Sequence, residues 1–337
     1  NGHPDFAANF KFEVETWRWI LVGYIILASL LPVWLLLQPR DYLASYFLYF
    51  AVVVGAIGML FGGIFGGDEL KVVLPAIKSF ATDKDQYLWP MLFVVVACGA
   101  MSGFASMVGS GTTSKQLRKE SDALVVGYGS MLLEGLVAVI AIGTIMVVGG
   151  GKPMEAYATG FGKFASVIGI DPALGKTLGF FAINTFVLTS LDTATRLTRY
   201  QIQEISRGKV DKYFATLLAV VGVLILVYSK TDANVSIATS IWPIFGSANQ
   251  LVAALALLAI AVWIKKDLKS SNNWLMVPMW FMLVTTMAAL GFLIRDQLRA
   301  VSPNYVLVVL SAVLMVLAVL MVYETAKANR SDAEQGV

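Results

Sequence analysis

Charged residues are scarce in this sequence of 337 residues. Asp, Glu, Lys and Arg together make up 14% of the chain, whereas about a quarter of a typical soluble domain is charged. Hydrophobic residues supply 58% of the chain. This balance excludes an ordinary water-soluble domain and predicts an integral membrane protein.

Cysteine and histidine are nearly absent. The single cysteine, Cys98, lies within an apolar run, so neither a disulfide framework nor a cysteine-based metal site is available. The single histidine, His3, lies at the start of the chain and leaves the apolar runs without a histidine base. The sequence also lacks a His-Glu-x-x-His motif, a Cys-x-x-Cys motif and a Ser–His pair. We therefore predict neither an enzyme nor a metal or other cofactor.

Signals for nucleotide and nucleic-acid binding are also missing. Residues 169–177 resemble a phosphate-binding loop, but five residues separate Gly169 from Gly175 where the motif requires four. The net charge is only +3, and basic residues are spread among the predicted loops instead of forming a stripe. We expect no nucleic-acid partner.

Long apolar runs recur about every 30 residues along the chain. Each is close to the roughly 20 residues that a helix needs to cross a hydrocarbon core. The pattern predicts an all-α polytopic membrane protein with one transmembrane domain in a lipid bilayer. The nine predicted spans are 17–37, 43–65, 87–108, 123–148, 174–197, 213–228, 237–264, 275–294 and 305–323.

The distribution of lysine and arginine predicts the orientation of these spans. If the residues before Trp17 lie outside, the clustered basic residues fall in the inner loops, which places the C-terminus in the cytoplasm. Two outer segments, 66–86 and 152–170, carry apolar residues at helical spacing and are predicted to form short amphipathic helices. They act either as lids or as a packed cap without motion.

Glycine and hydroxyl residues interrupt the apolar run over residues 98–114. Small residues at four-residue spacing allow two helices to approach closely, which is one interpretation. The other is an unwound helix, because each glycine weakens a helix and the freed backbone groups must then face protein or a water-filled cavity. On this second interpretation the candidate substrate-binding residues are Ser102, Gly103, Phe104 and Ser106.

A second polar interruption occupies residues 241–250. Pro243 removes a backbone donor, Gly246 loosens the turn, and Asn249 and Gln250 place amides where apolar residues are expected. Asn249 is a candidate substrate-binding residue. A proline kink packed inside a helical bundle remains the alternative.

Two acidic residues lie inside predicted spans. Glu134 is flanked by apolar residues, and it acts either as a proton relay or as a hydrogen-bonded structural acid. Asp192 lies four residues before Arg196, a spacing that predicts a structural ion pair on one helix face. The pair either anchors the end of the helix, with Arg196 extending towards the interface, or belongs to a coupling site together with nearby hydroxyl residues.

Five motifs give the sequence a family resemblance. LPVWLLLQPRDY (31–42), CGAMSGF (98–104), GSGTTSKQ (109–116), LDTATRL (191–197) and IWPIFGSANQL (241–251) resemble signatures of the carbon starvation protein A (CstA) family, in the same order. The resemblance implies a bacterial inner-membrane transporter for peptides or, as in similar proteins, for pyruvate with protons. It leaves the oligomeric state open.

The resemblance also implies a fold and a coupling site. The resemblance implies the LeuT-like inverted-repeat fold, with the family's first helices absent from this sequence. Because the sequence also lacks an initiator Met, we expect it to begin part-way through a longer protein. In LeuT-like proteins the helix that corresponds to 174–197 supplies oxygens to a coupling-ion site, so Ser190, Asp192 and Thr193 are the candidates. A proton or sodium gradient drives such symport, whereas a metabolite sensor or structural partner would not transport.

Overall fold

The computed structural model describes residues 13–75, 77, 79–81, 87–99, 101–230 and 236–334. Regular structure in this part of the chain is helical, apart from two isolated β-bridges. The α-helices are α1 (Val14–Leu30), α2 (Leu37–Phe65), α3 (Leu88–Val96), α4 (Gly103–Val108), α5 (Ser130–Val148), α6 (Pro153–Ser166), α7 (Pro172–Ile205), α8 (Lys212–Tyr228), α9 (Ile237–Ser240), α10 (Trp242–Lys266), α11 (Asn273–Arg299) and α12 (Tyr305–Glu334).

Six helical segments in the described residues are long and apolar enough to cross a membrane. They are Leu37–Ile64, Leu124–Val148, Pro172–Ile205, Trp242–Lys266, Asn273–Arg299 and Tyr305–Lys327. The shorter helix α8 is apolar as well. The structure thus confirms the multi-pass, all-helical membrane protein that the composition predicts.

The connection between α1 and α2 differs from the predicted one. Helix α1 ends at Leu30, because Leu31 precedes Pro32 and takes an extended conformation (φ −70°, ψ 150°) that a following proline favours. Helix α2 then begins at Leu37, six residues before the predicted start of the second span. Arg40 and Asp41, which the sequence places in a loop, therefore lie in the first turns of α2.

The predicted outer helix over 66–86 is not formed in the described residues of that segment. A short 3₁₀ turn, Gly67–Leu70, is followed by irregular backbone. Pro75 disfavours a helical conformation at the residue before it, and the Val73 amide donates to the carbonyl of Met146 at 3.0 Å instead of to a helical neighbour. In the other segment that is predicted to lie outside, 152–170, the structure forms helix α6.

The chain divides into two compact units. Unit 1 comprises Asn1–Leu74 and Ile140–Ile225, and unit 2 comprises Pro75–Val139 and Leu226–Val337. In unit 1, α6 packs against α7 and α2. Phe161 of α6 is fully buried in a core with Ala51, Val54 and Ala182. The helices approach so closely that a Cβ on Gly162 would lie 2.5 Å from the carbonyl oxygen of Pro172.

In unit 2, α10 and α11 pack along their length, and α12 packs against both. Leu251, Met279, Leu290 and Leu307 are buried in this core. Helices α3 and α4 also pack against α10, so unit 2 holds the interrupted segment against a rigid apolar support.

Candidate functional site

The helix that begins at Leu88 is interrupted close to the chain's only cysteine. Helix α3 ends at Val96, a 3₁₀ turn covers Ala97–Gly99, and Ser102 has the extended conformation φ −107°, ψ 129° before α4 begins at Gly103. Of the two interpretations of residues 98–114, the interrupted helix is observed, between Val96 and Gly103. Backbone groups that an unbroken helix would pair internally must therefore find partners in side chains.

Asn249 of α10 supplies those partners. Its Oδ1 accepts hydrogen bonds from the Phe104 amide at 2.7 Å and from the Ser102 hydroxyl at 3.3 Å. Its Nδ2 donates to the Ser102 hydroxyl at 3.2 Å and to the Cys98 sulfur at 3.3 Å. Ser102 is in turn the N-cap of α4, because its hydroxyl accepts from the Ala105 amide. One buried amide thus joins both sides of the break.

Gly103 allows this junction to form. A Cβ at this position would lie 2.1 Å from the carbonyl oxygen of Asn249 and 2.8 Å from the Ala253 amide nitrogen, so only glycine fits against α10. Ser106 completes the group by donating to the Gly103 carbonyl at 2.7 Å. The five predicted substrate-binding residues, Ser102, Gly103, Phe104, Ser106 and Asn249, are therefore neighbours, and we call them the α4 cap cluster. Their contact with a substrate stays a prediction.

Asp192 of α7 lies in a second polar group, in unit 1. Its side chain is fully buried, and Oδ2 accepts a hydrogen bond from the Tyr24 hydroxyl at 2.8 Å. Arg40 forms an ion pair with the same oxygen, and the Thr193 hydroxyl lies 3.4 Å from Oδ1. We call Tyr24, Arg40, Asp41, Asp192 and Thr193 the Asp192 cluster. A buried carboxylate held by several donors meets the requirement that a charge in a membrane helix must be paired.

Arg40 bridges two carboxylates. Besides Asp192, its Nη2 donates to Asp41 Oδ1 at 2.5 Å. The Arg40 side chain is 19% exposed and that of Asp41 is 44% exposed, whereas Asp192 is 0% exposed. The guanidinium therefore connects a buried acid to a solvated one.

The structure corrects the predicted pairing of Asp192 with Arg196. Arg196 Nη2 donates instead to the main-chain carbonyls of Ala28 and, at 2.8 Å, Leu31. Arg199, which the sequence places in an inner loop, is buried in α7 and donates to the carbonyl of Ser29. Carbonyls at the end of a helix lack internal partners and carry partial negative charge. These free carbonyls attract Arg196 more effectively than a neighbour on its own helix does.

The remaining predicted coupling residues are not all brought together. Thr193 contacts Asp192, but Ser190 is exposed and its hydroxyl donates to the Phe186 carbonyl of its own helix. Glu134 belongs to unit 2 and is exposed. In the described residues no group of three or more His, Cys, Asp or Glu side chains could hold a metal ion. The coupling roles of Ser190, Asp192, Thr193 and Glu134 stay predictions.

The sequence analysis missed Tyr24 and Arg40 as members of the site. Tyr24 lies in an apolar helix, where a tyrosine usually indicates packing or an interface. Arg40 could have been considered as a site residue, because it is part of the motif at 31–42. Its distance of 152 residues from Asp192 prevents any local rule from pairing the two.

Comparison with known proteins gives a consistent result. The family model described as carbon starvation protein CstA matches residues 1–152 and 143–289. A peptide transporter CstA of Helicobacter pylori is 33% identical, with 77% of this chain and 47% of the relative covered. The peptide transporter CstA of Escherichia coli is 31% identical (85% and 50% covered), and its pyruvate/proton symporter BtsT is 29% identical (86% and 52% covered).

The chain spans about half the length of these curated relatives. No solved structure matches it. The family model nevertheless covers most of the chain, and the relatives align over more than three quarters of it. The protein belongs to the carbon starvation protein CstA family.

Proposed function

We propose that the protein is a secondary symporter that imports peptides or pyruvate across the bacterial inner membrane, driven by a proton or sodium gradient during carbon starvation. The names of its relatives, peptide transporter and pyruvate/proton symporter, support these substrates. The observation that carries the proposal is Asp192, a fully buried carboxylate in a membrane-spanning helix. Such groups are costly in a membrane and typically mark ion or proton pathways.

Proton coupling is the form of the proposal that the contacts favour. When Asp192 is ionised, it binds the guanidinium of Arg40 and the hydroxyl of Tyr24. A proton on the carboxylate would cancel its charge and weaken the ion pair. Arg40 would still contact Asp41, so its charge would not be left unpaired. Protonation of Asp192 would therefore leave no isolated buried cation.

Sodium coupling has less support in these contacts. A sodium site needs several oxygens directed at one point, and the Ser190 hydroxyl is directed at its own helix. The donors around Asp192 are a guanidinium and two hydroxyl groups. A guanidinium already supplies positive charge where sodium would bind.

The substrate site is proposed at the α4 cap cluster. Transporters of the LeuT-like architecture bind substrates beside interrupted helices near the middle of the membrane. We place this chain in that architecture, with α3 and α4 as the two halves of a broken helix and the C-terminus in the cytoplasm. Ser102 and Asn249 would then exchange some of their mutual hydrogen bonds for bonds to a polar substrate.

Uptake into proteoliposomes tests the proposal. The full-length protein is reconstituted, and accumulation of labelled pyruvate and labelled dipeptides is measured under an imposed pH gradient or an imposed sodium gradient. We expect accumulation with the pH gradient. Binding of substrate without accumulation under either gradient would contradict transport and would indicate a sensor.

The variant Asp192→Asn separates coupling from folding. It keeps the side-chain shape and should abolish accumulation driven by the pH gradient while exchange of labelled for unlabelled substrate continues. Ser190→Ala, on the same helix and exposed, is the matched control and should accumulate substrate normally. Normal accumulation by Asp192→Asn would show that Asp192 is only an anchor.

A further inference from the structure

An apolar groove lies between α11 and α12 in unit 2, and none of its lining residues belongs to the α4 cap cluster. Its volume is about 420 Å³. Side chains from each helix line it, among them Trp280, Val284, Met287, Val319, Val322 and Tyr323. Both helices are long and apolar enough to span a membrane, which would place the groove against the lipid.

The groove has a direction. A short connection, residues 300–304, joins α11 to α12, so the two helices run antiparallel and residues equally far from the connection lie at similar heights. Trp280 near the start of α11 therefore lies level with Tyr323 near the end of α12. The groove extends from Met287 and Ala318 towards this end, over about 10–12 Å at 1.5 Å per residue.

Basic residues gather at the end towards which the groove extends. Lys265 and Lys266 end α10, Lys269 lies in the connection to α11, and Lys327 follows the last groove residue of α12, Ala326. The four lysines are exposed. Only Asp267 and Glu324 oppose them in these stretches, so this end carries an excess of positive charge.

Exposed aromatic side chains mark the same level. Trp263 near the end of α10 is 52% exposed, Trp274 at the start of α11 is 67% exposed, and Tyr323 is 61% exposed. Tryptophan and tyrosine concentrate at the headgroup level of a bilayer. The lysines therefore lie where lipid phosphates lie, and the groove descends from them into the hydrocarbon layer.

We propose that this groove binds one acyl chain of an anionic phospholipid, with its phosphate held by Lys265, Lys266, Lys269 and Lys327. The lining is almost entirely apolar and fits a hydrocarbon chain. The lysines select for negative charge, since basic groups beside membrane helices attract anionic headgroups. Neither the groove nor the four lysines includes a residue of the proposed substrate site.

Lipid titration followed by native mass spectrometry tests the site. The purified full-length protein in detergent is titrated with phosphatidylglycerol or with phosphatidylcholine carrying the same acyl chains. We expect one phosphatidylglycerol to be retained with a preference on the order of tenfold over phosphatidylcholine. Changing the four lysines to Gln should reduce the preference to near one. Changing Lys152, Lys163, Lys176 and Lys230 to Gln removes the same charge elsewhere and should leave the preference unchanged.

A second pair of variants tests the groove itself. Val319→Trp fills the groove from an exposed position, 58% exposed, so it should fold normally and lose the retained lipid. Val316→Trp, 57% exposed on the same helix but outside the groove lining, should retain it.

Three results would overturn the proposal. Equal retention of the two lipids would exclude headgroup recognition. Retention by Val319→Trp equal to that of the wild type would show that phosphatidylglycerol binds only to surface charge. A wild-type dimer that Val319→Trp converts to a monomer would assign the groove to a second copy of the chain.

Discussion

The side-chain oxygen of Asn249 accepts a hydrogen bond from the backbone amide of Phe104 at 2.7 Å. This contact connects α10 to the first turn of α4, across 145 residues of sequence. Because Asn249 also contacts Ser102 and Cys98, the interruption in the helix has a defined geometry within unit 2.

Asn249→Leu should destabilise unit 2. The Phe104 amide would lose its partner, and an unsatisfied donor costs about 1–3 kcal/mol. Thermal unfolding in detergent micelles should show a lower Tm than the wild type. Asn249→Gln keeps a side-chain amide without adding a charge and should lose less. An equal loss in the two variants would show that the contact with Phe104 contributes little.

Gly103→Ala should disrupt the same junction by steric overlap. The added Cβ would lie 2.1 Å from the carbonyl oxygen of Asn249, and overpacking of this kind costs about 1–3 kcal/mol. Gly109→Ala is the matched control, because its Cβ would meet no described atom within 4 Å. Stability is measured for both by denaturant unfolding. If the two variants are equally stable, α4 does not approach α10 this closely.

The pairing of Arg40 with Asp192 should appear as a coupling energy. Removing Arg40 leaves the buried charge of Asp192 uncompensated, which costs about 3–5 kcal/mol. Removing the charge of Asp192 should cost less, because Arg40 stays paired with Asp41. Asp192→Asn and Arg40→Gln should each lower the free energy of unfolding, and the double variant should lose less than the sum. The exposed pair Arg18–Glu15 provides the comparison, with about 0–1 kcal/mol expected. Additive losses in the Arg40–Asp192 cycle would contradict the pairing.

Arg196→Gln should loosen the end of α1. The guanidinium holds the carbonyls of Ala28 and Leu31, and its loss should raise hydrogen–deuterium exchange in the peptide that contains residues 28–36. Arg196→Lys keeps the charge but not the planar fork and should give an intermediate effect. Arg207→Gln, at an exposed position, should leave exchange unchanged. Unchanged exchange in Arg196→Gln would show that α1 is held by apolar packing alone.

Composition and local pattern were sufficient for the class of the protein, and they offered the interruption near Cys98 as one of two interpretations. Glycine and serine in an apolar span lower helical stability locally, so the segment itself indicates where the helix is weak. The partner that stabilises the interruption, Asn249, lies on another helix. The polarity of Asn249 made it a candidate binding residue. Its contact with Phe104 depends on how α4 packs against α10, which the sequence does not show.

Local rules gave the wrong partner for Asp192. The four-residue spacing favours Arg196 by a few tenths of a kcal/mol, which tertiary contacts easily exceed. The carbonyls left free at the end of α1 bind Arg196 and Arg199, and the early start of α2 brings Arg40 to Asp192. Both sets of contacts depend on the end of α1 at Leu31 and Pro32. Residue spacing cannot predict how this helix end affects Asp192, which lies far along the chain.

Cys98 provides a native labelling site at the interrupted helix, so no cysteine has to be introduced. It is the only thiol in the sequence, and Asn249 donates a hydrogen bond to its sulfur. A thiol-reactive fluorophore or spin label would thus attach to this chain at one place, beside the hydrogen bonds that Asn249 makes across the interruption. Such a label would report any change in the geometry of the interruption.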